Sequence, residues 1–162
     1  MAGVTGPHLI GLISDTHGLV RPEVHTALAG VEIILHAGDV GGREVLDELA
    51  LIAPVRAVYG NTDPPGDPHL VDSLVYVADG LAIRVSHGHE VGSPNPARLA
   101  ARYPEPVLVY GHTHRQLVTR LGDQLIINPG AAGARRFDLQ PSVARLRIEA
   151  GRADVELIPL AI

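Results

Sequence analysis

The feature that most constrains the fold is an apolar run at residues 9–13 that ends abruptly in the polar segment Ser14-Asp15-Thr16-His17-Gly18. Such a run predicts a buried β-strand, and the segment after it predicts a loop at the strand's C-terminal end. Open α/β sheets bind their ligands at that edge. A buried carboxylate is costly unless it is paired or bound to a metal, so Asp15 and His17 together indicate a partner or a metal. One Asp-x-His alone is weak evidence, because a loop Asp is more often a turn or a helix cap.

The same arrangement returns after four further apolar runs, at residues 31–36, 53–59, 81–86 and 107–110. These runs end in Ala37-Gly38-Asp39, Gly60-Asn61-Thr62-Asp63, His87-Gly88-His89 and Gly111-His112-Thr113-His114. Glycine in or beside each turn permits positive φ angles and a close approach of the backbone. Five predicted strand ends therefore bring oxygen and nitrogen ligands towards one place.

The order of elements predicts two kinds of strand pairing. Strands over 9–14, 32–35 and 55–59 alternate with helices over 21–29 and 42–52, which favours a parallel sheet with right-handed crossovers. Hairpins are predicted over 73–85, 117–127 and 142–158, with a helix over 95–102 and a strand over 107–110 between the first two. This pattern predicts two sheets packed face to face with helices outside. The 162 residues fit one domain, 1–162.

Composition excludes several chemistries. The chain has no Cys, and all 13 of its basic residues are Arg, which rules out thiolate zinc sites, a P-loop lysine and a Schiff base. The net charge of −5 and a longest basic run of Arg135-Arg136 make binding of long nucleic acid unfavourable. No secretory signal is visible, and no apolar run reaches the roughly 20 residues needed to cross a membrane. We therefore expect a cytoplasmic protein.

Each site residue also has an ordinary interpretation. Asp39 could cap the following helix, and Asn61 could form an Asx turn. His112 and His114 alternate, so on an extended chain they point to the same side, as two ligands of one site would. If these residues had only such structural roles, their occurrence after all five predicted strands would need five separate coincidences. This favours a metal site. Of the remaining histidines, we predict a structural role for His36, and surface positions for His8, His25 and His69.

The ordered motifs resemble the calcineurin-like metallophosphoesterase superfamily. The chain length and the segment Asn128-Pro129-Gly130 are similar to its small bacterial and archaeal phosphodiesterase branch, to which the retromer subunit Vps29 is related. The resemblance covers about residues 15–130. It implies an α/β fold, a four-layer α-β-β-α sandwich of two mixed sheets flanked by helices.

The resemblance also implies two divalent metal ions. Asp15, His17 and His114 would hold the first ion, Asn61, His87 and His112 the second, and Asp39 would bridge both. Oxygen donors mixed with imidazoles and no thiolate suit Mn²⁺, which we favour, or Ni²⁺, iron or Zn²⁺. A hydroxide between the ions would attack a small phosphodiester in line. Asp39, Asn61, His87 and His112 are accordingly predicted as catalytic residues.

Substrate contacts are predicted at Asn61, His89 and Arg135, with Arg136 beside the last of these. Many phosphomonoesterases of the superfamily carry His directly after the Gly-Asn pair, where this chain has Thr62. A threonine hydroxyl cannot act as a general acid near neutral pH, which favours phosphodiesters with good leaving groups.

Two other classes of function remain open. One is a non-catalytic protein-interaction scaffold like Vps29, although all seven ligand positions are filled here. The other is a broad-specificity phosphatase or nuclease, which the acidity, the small size and Thr62 disfavour. A homo-oligomer is compatible with the sequence, but no surface stripe indicates one.

Overall fold

The computed structural model describes residues 6–135 and 138–161. The strands are β1 His8–Ile13, β2 Ile33–His36, β3 Val55–Val58, β4 Leu70–Val71, β5 Ser73–Ala78, β6 Leu81–Ser86, β7 Val107–Val109, β8 Leu117–Leu121, β9 Gln124–Asn128, β10 Ser142–Glu149 and β11 Arg152–Pro159. The α-helices are α1 Pro22–Ala27, α2 Arg43–Ala50 and α3 Pro96–Arg102, and a 3₁₀ turn covers His89–Val91.

The strands form two mixed sheets. The first has the order β11-β10-β1-β2-β3-β4, in which β1 to β4 are parallel neighbours and β10 pairs antiparallel with β1 and β11. The second has the order β5-β6-β7-β9-β8, with a parallel centre of β6, β7 and β9 and antiparallel edges. The parallel strands of both sheets therefore present their carboxyl ends as places for ligands.

The core lies in three layers of side chains. Alternate residues of both sheets form the central layer, for example Leu12, Leu35, Val85 and Ile127. Helices α1 and α2 pack on the outer face of the first sheet, and α3 packs on the second, where Leu99 meets Ile126. These contacts produce the predicted four-layer α-β-β-α sandwich.

Local sequence explains how the helices begin. Helix α1 starts with Pro22, whose fixed φ suits a first helical position, and α3 starts with Pro96. The side chain of Asn95 caps α3 by accepting a hydrogen bond from the Arg98 N–H at 2.8 Å. Among the described helices, none is long and apolar enough to span a membrane.

The predicted strands and hairpins are confirmed, but the helix ends and two short elements differ. The helices predicted over 21–29 and 42–52 are shorter, because residues such as Leu51 and Ile52 bond three positions back instead of four and tighten the last turn. The segment predicted as loop over 61–68 is followed by the missed strand β4, which pairs with β3 over only two residues. The 3₁₀ turn at His89–Val91 was also not predicted.

Candidate metal centre

The loops after β1, β2, β3, β6 and β7 meet at one edge of the molecule. The Asp15 N–H donates to the Gly38 carbonyl at 2.9 Å, and the His17 N–H donates to the Asp39 carbonyl at 3.0 Å. In the second sheet the Gly111 N–H donates to the His87 carbonyl at 3.0 Å. Backbone hydrogen bonds therefore join neighbouring strand ends within each sheet. The Thr62 N–H, which donates to Asp39 Oδ1, adds the loop after β3, and the His112 N–H, which donates to Asp15 Oδ2, joins the two sheets.

The backbone of the site is held in an unusual conformation. Positive φ angles occur at Asp15 (53°), His17 (46°), Asp39 (55°), His112 (73°) and His114 (64°). Residues other than glycine adopt this region at a cost and persist there when the surrounding structure holds them. Among the described non-glycine residues, the other positive φ angles are at Asp79 and Ala150, so most of this strain lies at the site.

Asp15 has one oxygen fixed and one directed into the site. The Ser14 hydroxyl donates to Oδ2 at 2.6 Å, and the His112 N–H donates to the same atom at 3.1 Å. The other oxygen, Oδ1, is buried and accepts no hydrogen bond from the described residues. It lies 3.4 Å from His114 Nε2 and 3.9 Å from the Nε2 atoms of His17 and His87.

Asp39 is arranged in the same way. The Thr62 N–H donates to its Oδ1 at 2.9 Å, while Oδ2 lies 3.3 Å from His87 Nε2 and 3.7 Å from His17 Nε2. Burial alone would raise the pKa of Asp39, but the His87 imidazole and the Thr62 N–H hold the pKa of this carboxyl well below its usual range. Asp39 is therefore a carboxylate at neutral pH.

The His87 ring is oriented by its Nδ1–H, which donates to the Ala37 carbonyl at 2.8 Å. This bond directs Nε2 into the site, where it lies 3.0 Å from Asn61 Oδ1. The same Asn61 oxygen lies 3.1 Å from His112 Nδ1. Burial would lower the pKa of His87, but the carboxylates of Asp39 and Asp15 raise it, whereas burial and the neighbouring His87 lower the pKa of His112.

The structure brings all seven residues predicted as ligands into one cluster. Asp15, His17 and His114 form one compact ligand group, as predicted for the first ion. The second compact group joins Asp15 to Asp39 and His87, while Asn61 and His112 approach each other beside it. Asp15 thus belongs to both compact groups, and the division of the seven ligands between two ions stays a prediction.

The cluster fits divalent cations. Buried acceptors in proteins almost always have a partner, so the buried Asp15 Oδ1 facing imidazole nitrogens is explained by a cation that binds both. The donors are carboxylate, amide and imidazole groups with no thiolate, which suits Mn²⁺, Ni²⁺, iron or Zn²⁺.

Asp63 is a site-forming residue to which sequence reasoning gave no role. It is buried, and its carboxylate accepts hydrogen bonds from the N–H groups of Val40 (3.0 Å), Gly41 (3.1 Å) and Gly60 (2.8 Å). These bonds join the loop after β2 to the loop after β3 and so fix Asp39 relative to Asn61. The signal was present as the one acidic residue of the Gly60-Asn61-Thr62-Asp63 motif.

His36 has the structural role that the sequence predicted. The Gly38 N–H donates to His36 Nδ1 at 3.0 Å, which requires that nitrogen to be unprotonated. The proton on Nε2 is then donated to the Thr16 hydroxyl at 2.9 Å, and Thr16 donates onward to the Val40 carbonyl at 2.7 Å. Burial lowers the pKa of His36 to about 4. A fully bonded neutral imidazole of this kind is not available as a ligand.

The predicted substrate contacts differ in their placement. His89 is half-buried beside the cluster, with its ring centroid 5.4 Å from that of His87 and 6.5 Å from that of His112. Arg135 is exposed, two residues beyond Gly133, whose N–H donates to the Asp15 carbonyl at 3.3 Å. Arg136 lies outside the described residues. Substrate contact by these residues stays a prediction.

Comparison with known proteins agrees with this arrangement. The sequence model of the calcineurin-like phosphoesterase superfamily domain matches residues 9–151. The chain belongs to this superfamily. It is 37% identical over 158 residues to a probable metallophosphoesterase of Methanothermobacter thermautotrophicus, covering 93% of this chain and 91% of that protein. It is 31% identical over 139 residues to a phosphodiesterase of Methanocaldococcus jannaschii, covering 75% and 82% of the two chains.

Solved structures share the fold of this calcineurin-like domain. Vps29 from Entamoeba histolytica in complex with zinc superposes with a TM-score of 0.77 at 23% identity, over 93% of this chain and 98% of that one. An archaeal phosphodiesterase superposes with a TM-score of 0.72 at 25% identity, over 93% and 99%. The fold is therefore found both in a vacuolar sorting protein and in an enzyme.

Proposed function

We propose that this protein is a binuclear metal-dependent phosphodiesterase that hydrolyses small phosphodiesters. The observation that carries the proposal is the buried Asp15 Oδ1, which accepts no hydrogen bond from the described residues and faces three imidazole nitrogens within 3.9 Å. The relative from Methanocaldococcus jannaschii, itself a phosphodiesterase, supports the same class of reaction.

The proposed ligands form two sets that share Asp39. Asp15, His17 and His114 hold one ion, and Asn61, His87 and His112 hold the other, with Asp39 between them. The compact group of Asp15, Asp39 and His87 supports an ion near His87, and Asp15, which belongs to both compact groups, would lie beside it. Mn²⁺ is the proposed occupant, because it suits the carboxylate and amide oxygens, while Ni²⁺, iron and Zn²⁺ suit the imidazoles of the same set.

The residues around the ions position the substrate. When bound, two divalent ions supply positive charge for the phosphate and a water whose pKa is lowered towards neutrality. Asp39 and His87 hold fixed positions through the Thr62 N–H and the Ala37 carbonyl, so little reorganisation is needed during the reaction. Asn61, His89 and Arg135 are proposed to contact the phosphate. Thr62 supplies its backbone N–H to Asp39 and has no titrating group for the leaving oxygen.

The test is hydrolysis of bis(p-nitrophenyl) phosphate and p-nitrophenyl phosphate by protein stripped of metal and then supplied with Mn²⁺, Ni²⁺, Mg²⁺ or Zn²⁺. We expect turnover that requires metal, prefers the diester, and falls by roughly a thousandfold in Asp39→Asn, because that change removes a charged ligand. The control is Asp123→Asn, an exposed carboxylate in the turn between β8 and β9, at the other end of the molecule. Turnover by the stripped protein, or full activity in Asp39→Asn, would contradict the proposal.

A non-catalytic scaffold is the second candidate. It is favoured by the TM-scores of 0.77 and 0.78 with Vps29 structures. Bound metal without turnover of either ester would support this candidate over the enzyme.

A further inference from the structure

A cleft of about 270 Å³ opens beside the metal centre and is not accounted for by the metal ligands. Its walls include Tyr59, Asp72, His89, Glu90, Arg102 and Tyr103, and we call it the Tyr59 cleft. The Tyr59 ring centroid lies 6.4 Å from that of His89, whose own ring lies 5.4 Å from that of His87. The side chain of His89, a predicted phosphate contact, therefore lies between the Tyr59 cleft and the metal ligand His87.

The wall of the Tyr59 cleft is held in place by hydrogen bonds. The Tyr103 hydroxyl donates to Glu90 Oε2 at 2.5 Å, and the Gly88 N–H donates to Glu90 Oε1 at 3.0 Å. The guanidinium carbon of Arg102 stacks 4.9 Å from the centroid of the Tyr103 ring. Since Gly88 separates His87 from His89, the same bonds fix the cleft relative to the metal centre. A preorganised wall of this kind lowers the entropy cost of binding.

The chemistry of the Tyr59 cleft selects among the groups that a phosphodiester can carry. Two carboxylates, Asp72 and Glu90, outnumber the single guanidinium of Arg102, so a second phosphate or carboxylate is disfavoured. A hydrocarbon arm would cover the charges of Asp72, Glu90 and Arg102 without forming a hydrogen bond to any of them, which is also unfavourable. A neutral arm with hydroxyl groups can donate to the carboxylates, accept from Arg102 and lay its carbon atoms against the Tyr59 ring.

We propose that the Tyr59 cleft binds a neutral, hydroxyl-bearing arm of the phosphodiester, such as a glycerol or a ribose. This inference rests on the proposed function, because it identifies one of the two ester groups of that substrate. Asp72 is the specificity residue: it is exposed, lies outside the metal cluster and lines the cleft together with Tyr59.

The test compares three diesters that share a p-nitrophenyl leaving group and differ in the other arm, which is propyl, 2,3-dihydroxypropyl or uridin-5′-yl. In the Mn²⁺-loaded protein we expect kcat/KM for at least one hydroxylated diester to exceed that for the propyl diester by about tenfold, the usual effect of a hydrogen bond to a charged group. Faster hydrolysis of the dihydroxypropyl diester than of the propyl diester would identify the arm as a glycerol. Faster hydrolysis of the uridinyl diester alone would identify the arm as a ribose. Equal rates for all three would overturn the proposal.

Asp72→Ala is expected to reduce that preference, the ratio of kcat/KM for the hydroxylated diester to kcat/KM for the propyl diester, to about one. The matched control Asp154→Ala, an exposed carboxylate on β11 at the edge of the first sheet remote from β3 and Tyr59, should keep the preference. A preference that survives in Asp72→Ala would also overturn the assignment.

If no diester is hydrolysed with any metal, the proposed function fails. The proposal for the cleft is then tested separately by binding. Calorimetric titration of the Mn²⁺-loaded protein would compare propyl phosphate with glycerol 1-phosphate and uridine 5′-monophosphate. Tighter binding of a hydroxylated phosphate in the wild type, lost in Asp72→Ala, supports the cleft. Equal binding of all three overturns it.

Discussion

At the scale of single residues, Asp63 supports the site without facing the metal cluster. Its two carboxylate oxygens accept hydrogen bonds from Val40, Gly41 and Gly60, and an amide in its place keeps only one acceptor oxygen, so the N–H of Gly41 or of Gly60 would lose its partner. Asp63→Asn is therefore expected to lower the free energy of unfolding by roughly 1–3 kcal/mol and to weaken Mn²⁺ binding. Urea unfolding and calorimetric titration measure the two effects. Asp123→Asn, an exposed carboxylate in the turn between β8 and β9, should leave both unchanged, and equal behaviour of the two variants would contradict this role.

His36 makes a pH-dependent contribution at the same scale. Its pKa is about 4 in the folded protein, lowered by burial from 6.5, so the unfolded chain binds the proton first as the pH falls. The stability from this group is fully present above pH 6.5 and is lost progressively as the pH falls towards 4, by about 3 kcal/mol in all. Urea unfolding should show that the free energy of unfolding falls less between pH 7 and pH 4 in His36→Asn than in the wild type. The exposed His69→Asn should keep the wild-type dependence, and the same slope in all three proteins would contradict the assignment.

At the scale of elements, the loops are packed against each other with no room for a side chain at certain glycines. A Cβ on Gly60 would lie 2.1 Å from Asp39 Oδ1, so Gly60→Ala must displace the proposed bridging carboxylate. We expect turnover of bis(p-nitrophenyl) phosphate to fall at least tenfold. Gly66→Ala, in the same loop but facing open space, should keep its turnover, although its positive φ of 84° makes the variant about 1 kcal/mol less stable. Similar turnover in both variants would contradict the proposed packing.

The strands were predictable from the sequence because their apolar runs are interrupted by clear turn residues, such as Asp79-Gly80 between β5 and β6. The short strand β4 was not, because its pairing depends on the neighbouring β3 and not on any pattern of its own. The site residues were predictable because each follows a strand. The role of Asp63 was not, because its hydrogen bonds join loops more than twenty residues apart in the chain.

At the scale of the whole molecule, the site is divided between the two sheets. Loops after β1, β2 and β3 supply Asp15, His17, Asp39 and Asn61, and loops after β6 and β7 supply the remaining histidines. Neither sheet alone carries a complete set of ligands. The packing of the two sheets, through residues such as Leu35 and Val109, is therefore what assembles the candidate centre.

The measurement that tests the central claim most directly is turnover of bis(p-nitrophenyl) phosphate as Mn²⁺ is added stepwise to metal-free protein, with the bound ions counted in the same samples. The binuclear account predicts that activity rises with occupancy and reaches its maximum at two ions per chain. In Asp39→Asn, which loses the proposed bridging carboxylate, neither full occupancy nor full activity should be reached. Full activity without metal, or a maximum at one ion per chain, would contradict the account.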